Sequence, residues 1–179
     1  MFIHAIYVST LKNKPNDNLK FLKKKFKNLN YKRLNKINLH SPEVSEHSAE
    51  IAKKRKIREI LKKFQLNFSN KHKNCCIEGR DISTKILPNS DVKFFFKCNL
   101  NTAALRRFKE LKKINAKIKL KDVKKALRIR NILDTKRKNS PLLRHRDSVE
   151  IDTGKLGKRA MLAKMSKYVQ KVLKIKYGI

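Results

Sequence analysis

Apolar and polar residues alternate in blocks of two kinds along this chain. Between residues 43 and 65, with Val44, Ile51, Ile57, Ile60 and Leu61 near helical spacing and Phe64 and Phe68 continuing it, the pattern predicts a long amphipathic helix. Ser41 is its candidate N-cap, Pro42 and Glu43 open it, and Arg55 and Arg58 fall on its other face. The short apolar run from Cys75 to Ile77 predicts a buried strand, and a second is expected from Val92 to Cys98. There, three consecutive phenylalanines, Phe94, Phe95 and Phe96, suggest burial on both faces, as in a parallel sheet. Helices are expected over 101–113 and 120–134, a last short strand over 149–152, and a closing helix over 158–176. Strands alternating with helices predict an α/β fold with right-handed crossovers. The first segment, FIHAIYVSTL, reads as a helix or a strand, and the mixed apolar and basic stretch up to about residue 39 has no clean period.

Length and composition narrow the class. At 179 residues with 40% hydrophobic content the chain can bury one sizeable core, which excludes wholesale disorder despite 35% charged residues. The formal net charge of +34 admits a polyanion partner. The lysines are nevertheless scattered through every segment beside abundant Asn and Ile, as a coding bias toward AT-rich codons would produce, so nucleic acid stands as a secondary partner. Cys75, Cys76 and Cys98 are odd in number and lack zinc spacing. They read as small hydrophobes in buried strands of a protein kept in a reducing cytoplasm. No run reaches the roughly 18 apolar residues of a membrane span, and the first residues have neither a basic start nor a small-residue cleavage site.

Two stretches carry candidate chemistry. In CIEGRDISTKILPNSDVKFFF, Gly79, Arg80 and Asp81 stand where the first strand is expected to end, the position at which open α/β sheets bind ligands. An acid and a base displayed together there suit a small, polar, partly anionic molecule, although a loop ion pair accounts for them too. In RIRNILDTKRKNSPL, Arg130, Asp134 and Arg137 recur at i, i+4 and i+7, on one face of the expected helix. A solvated i,i+4 ion pair is the plain alternative, worth only ~0.3–0.5 kcal/mol. Arg106 and Arg107 form a weaker doublet.

Taken in order, EVSEHSAEIAKKRKIREILKKFQ, EGRDISTKILP and RIRNILDTKRKNSPL closely resemble the bacterial cytidylate kinase family over about residues 39–153. The resemblance implies a three-layer P-loop nucleoside monophosphate kinase-like fold with a parallel sheet. It also implies a single monomeric cytoplasmic domain that transfers a phosphoryl group from ATP, with Mg2+, to CMP or dCMP. Within that domain it implies a CMP-side helix over about 39–74, core strands and a helix over 75–118, a basic lid-like segment over 119–141, and a C-terminal strand and helix over 142–179. By the same resemblance Arg58 and Asp81 face the base, Arg80 and Arg137 hold the phosphate, and Arg130 and Asp134 contact the sugar. Arg130 and Arg137, as lid cations, are the catalytic pair. The chemistry fits these roles: a carboxylate accepts from the exocyclic amine of cytosine and rejects uracil, while guanidinium forks hold phosphate oxygens in pairs.

The chain departs from the family pattern twice. Ser48-Ala49 stands where the family usually has Ala-Ser, which moves the hydroxyl about 100° around the helix. The four glycines, at 79, 154, 157 and 178, contain no G-x-x-x-x-G-K-[ST] spacing, and GKLGKR at 154–159 reads as a basic helix N-terminus. The expected chain is therefore a family member that lacks its first strand-loop-helix unit, and with it the donor cradle. The rival from another class is a small basic RNA- or ribosome-binding protein without catalysis.

Overall fold

The computed structural model describes residues 54–72 and 74–179. The chain forms two compact units, Met1–Ile77 and Glu78–Ile179. The FIHAIYVSTL segment, the Ser41 cap, Ser48-Ala49 and the first turns of the helix expected over 43–65 lie outside the described residues.

In the first unit, helix α1 (Arg55–Lys71) buries Ile57 and Leu61 one turn apart, with Phe64 and Phe68 half-buried further along the same stripe. The expected helix is thus corrected at both ends. Lys54 is extended, with φ −75° and ψ 112°, so no continuous helix enters from residue 43. The Lys54 carbonyl accepts from the Ile57 and Arg58 amides at 3.1 and 3.2 Å, so the helical ladder of α1 starts at this residue. At the other end Phe68 stacks on His72, ring centroids 4.5 Å apart, and the helix runs past 65 to Lys71.

The strand expected at Cys75–Ile77 is absent. Cys75 and Cys76 are exposed and without regular structure, and Cys98 is half-buried, so none is the buried filler expected of it. Three apolar residues do not make a strand without a ladder partner, and among the described residues the sheet has two strands, both later in the chain.

The second unit opens with a π-helical turn at Ile82–Ile86. It continues through β1 (Phe94–Lys97), α2 (Leu100–Lys112), α3 (Leu120–Lys136), β2 (Val149–Asp152) and α4 (Lys158–Tyr177). These spans match the expected ones to within two residues, except that β1 is shorter than the run 92–98. Strands β1 and β2 pair in parallel, Phe94 opposite Val149 and Lys97 opposite Asp152, with the two helices as the crossover between them. The α/β class with a parallel sheet is what the alternation predicted.

Caps and side-chain ties explain the boundaries. Asn99 Oδ1 accepts from the Thr102 amide at 2.8 Å and caps α2. The α2–α3 connection turns at Asn115, whose side chain accepts from the Lys117 amide at 3.0 Å. Helices α2 and α3 pack on each other, and Ala104 and Val123 are among their buried residues. The small core around the sheet holds Ile86 and the fully buried Ile151. Expected burial of the phenylalanine trio on both faces is not found: Phe94 and Phe95 are half-buried and Phe96 is 51% exposed. Alternate residues share a face, and Tyr168 of α4 covers that face at the Phe94 end only, with rings 5.9 Å apart.

Candidate functional site

Four of the six expected site residues meet around one carboxylate. Asp134, in the last turn of α3, is 7% exposed. Its Oδ1 accepts from Arg137 Nη1 at 3.2 Å, while Oδ2 faces Arg80 Nε at 3.3 Å and Arg130 Nε at 3.9 Å. The solvated-face alternative for Arg130 and Asp134 is thereby corrected, because a helix-surface pair would leave the acid in water. Three guanidiniums around one carboxylate concentrate positive charge at one place, as holding an anion requires.

Each cation arrives by a different route. Arg130 and Asp134 are one helical turn apart on α3. Arg137 does not occupy the i+7 helical position expected of it, since α3 ends at Lys136 and Arg137 is extended at ψ 138°. Pro141 cannot continue a helix, and Ser140 adopts φ 55°, which turns the chain back. The returning strand of chain satisfies an orphan helix carbonyl, Leu142 donating to Asp134 O at 2.8 Å, and Ser140 O accepts from Arg137 Nε. Arg137 is therefore fixed by an acid on one side and a turn carbonyl on the other, with only 13% of its side chain exposed.

Arg80 reaches the cluster from the GRD segment. Its side chain is 41% exposed and so presents donors to solvent as well as to Asp134. Gly79 permits the close approach of the Ile82 side chain three residues on: a Cβ at Gly79 would lie 2.7 Å from Ile82 Cγ1. Asp81 is not at a strand end, as expected, but leads into the π-helical turn, where its carbonyl accepts from the Lys85 amide at 2.9 Å. The residue is buried at 8% exposure, beside Arg80 in the chain. Arg58 belongs to the first unit and is half-buried on α1.

Burial lowers the Arg130 pKa from its ordinary value, followed by repulsion from Arg80, against the pull of Asp134. Arg107 adds further repulsion, which puts it in the electrostatic surroundings of the cluster. The doublet thus divides: Arg107 pairs with Glu110 at 2.9 Å, whereas Arg106 is committed to Thr153, donating to its carbonyl at 2.7 Å. Sequence spacing could not separate them. Ser140 also escaped notice, although a serine just before proline, after a basic helix end, is a turn signal.

Among the described residues, none is arranged to hold a nucleoside triphosphate and its metal. Gly154 donates its amide to Asp152 Oδ1 at 2.9 Å, and Gly157 caps α4, so GKLGKR is a helix start and not a phosphate loop. Among the described residues no group of three or more His, Cys, Asp or Glu could hold a metal ion. No helix among them is long and apolar enough to cross a membrane.

Comparison with known proteins identifies the family. The family model described as Cytidylate kinase matches residues 7–171, more of the chain at both ends than the motifs at 39–153. The Cytidylate kinase of Lactobacillus johnsonii is 32% identical over 135 residues, covering 75% of this chain and 58% of the relative. That of Mesomycoplasma hyopneumoniae is 32% identical over 126 residues, 70% of this chain and 55% of the relative. For Bartonella tribocorum the identity is 32% over 149 residues, 83% and 69%. The chain thus spans about 58% of the length of the first of these relatives. With a family match across nearly its whole length and motifs that gather at one buried carboxylate, the chain belongs to the cytidylate kinase family.

Proposed function

We propose that these residues form the acceptor side of a phosphoryl transfer from ATP, with Mg2+, to CMP or dCMP, giving CDP or dCDP. The observation that carries the reading is the gathering of Arg80, Arg130 and Arg137 about Asp134, a preorganised excess of positive charge. Arg80 and Arg137 hold the phosphate of the monophosphate, Arg137 being the better anchored because two acceptors already orient it. Arg130 and Asp134 contact the sugar, and Arg130 and Arg137 neutralise charge on the transferring group. Asp81 accepts from the cytosine amine. No step is assigned to the donor nucleotide, since the described residues do not fit it. The domain is read as 1–179 with its lid at 119–141, monomeric and cytoplasmic.

Calorimetry on folded variants tests this. Arg137→Ala is expected to weaken CMP at least about tenfold and cytidine hardly at all, because a charge-assisted bond to phosphate is worth ~1.5–3 kcal/mol. Asp81→Ala is expected to erode the preference for CMP over UMP. Equal losses for nucleotide and nucleoside in the first variant, or an unchanged CMP/UMP ratio in the second, would remove that residue from its role.

A further inference from the structure

Helix α4 (Lys158–Tyr177) carries no aspartate or glutamate in its 20 residues. Lys164, Lys167, Lys171 and Lys174 are all exposed and follow one another at i, i+3, i+7 and i+10. At 100° per residue they fall within an arc of about 80° and form a row about 15 Å long. Met165, Tyr168, Val169 and Val172 are half-buried on a face centred about 130° around the helix, where Tyr168 meets Phe94 of β1. The row therefore points away from the fold. Lys176, on the inner side, is ion-paired with Asp91 at 2.8 Å, whereas none of the four row lysines meets an acid among the described residues.

Such a row opposes helix stability on its own, since each successive pair sets like charges one turn apart. Lys158, Arg159 and Lys176 lie on other faces of the helix, but the four row lysines stand exposed together, and α4 has no acid one turn away to relieve their repulsion. A polyanion with regularly spaced charges relieves it instead. The arc holds no large apolar side chain between its lysines, in contrast to a helix that enters a membrane interface. Its reach suits successive phosphates of a single strand.

We propose that the outward face of α4 is a binding surface for single-stranded RNA, each of the four lysines taking a phosphate without reading sequence. Binding of this kind releases counterions, so its logarithm falls linearly with the logarithm of salt, by ~0.7 for each phosphate neutralised on a single strand. The surface is independent of the CMP reading, because no row lysine belongs to the Asp134 cluster.

The test is fluorescence anisotropy of the full chain with a labelled oligouridylate over a potassium chloride series. The variant Lys164→Gln, Lys167→Gln, Lys171→Gln, Lys174→Gln is set beside a control of equal charge loss, Lys109→Gln, Lys112→Gln, Lys113→Gln, Lys117→Gln. The row variant is expected to lose about 3 from the slope of the log–log plot and to bind at least tenfold more weakly near 0.1 M salt, while the control keeps most of both. Arginine at all four row positions should restore binding, which separates charge from misfolding. CMP affinity should be unchanged in every variant, so failure here is distinct from failure of the nucleotide site. Equal losses in row and control would overturn the proposal in favour of bulk charge. Unchanged RNA binding with lost co-sedimentation on phosphatidylglycerol vesicles would overturn it in favour of a lipid surface.

Discussion

Asp134 is the residue on which the candidate site depends. Its carboxylate is buried and faces three guanidiniums that would otherwise repel one another. Asp134→Ala is expected to destabilise the folded chain by about 1–3 kcal/mol, the cost of leaving the largely buried Arg137 guanidinium without its carboxylate acceptor. A urea midpoint that does not fall would show that solvent satisfies the three arginines and that the carboxylate is not their organiser. Legibility at this scale was uneven. The Arg130–Asp134 pair could be read from its i,i+4 spacing, which is a local fact about helices. The Arg80–Asp134 pair could not be paired from spacing, because Arg80 lies before β1 and Asp134 in the last turn of α3, with β1 and α2 between them. Arg137 was identified as a member of the right group but assigned to the wrong geometry: helical spacing was extended past Lys136, into the turn formed by Ser140 and Pro141.

At the scale of elements, the spans that came out near their expected positions are those with their own local determinants. Helix α2 has a side-chain cap at Asn99, β2 has a bounded run of alternating residues, and α3 has a sustained period. Asn99→Ala is expected to lower stability by ~0.5–2 kcal/mol, leaving the slope of the urea transition unchanged. A loss near zero would mean that packing of α2 on α3 alone holds the helix start. The misread elements lacked such determinants. Cys75–Ile77 is apolar enough for a strand but has no described neighbour to pair with. The start of α1 is set by the extended backbone of Lys54, which an apolar count does not register. The π-helical turn after Asp81 has no sequence period of its own, so nothing in the pattern announced it.

For the molecule as a whole, family membership was legible because three separated motifs occur in order, and it holds over a longer stretch than those motifs. Residues 7–38 carry part of the match yet have no clean period, so pattern alone could not assign them. Activity is a separate matter, since the 179 residues contain no glycine spacing suited to a phosphate loop. Positioning supplies most of the acceleration in phosphoryl transfer, so a chain with only acceptor-side residues is expected to run at least about a thousandfold slower than one with both sides. Coupled ADP release with ATP, magnesium and CMP should stay at background for this chain. Robust turnover by the chain alone would mean that a phosphate cradle exists elsewhere in it.

The parallel pairing of β1 with β2 bears on the order in which the second unit folds. Every rung of that ladder, from Phe94–Val149 to Lys97–Asp152, encloses both α2 and α3 in the loop it closes. Closing so long a loop from an unstructured chain is entropically expensive, whereas helices form from neighbours within about a microsecond. Prior formation of the α2–α3 pair shortens the effective loop, so the two strands meet late. Weakening α2 or α3 should then slow folding, while trimming Ile151 in β2 should mainly hasten unfolding.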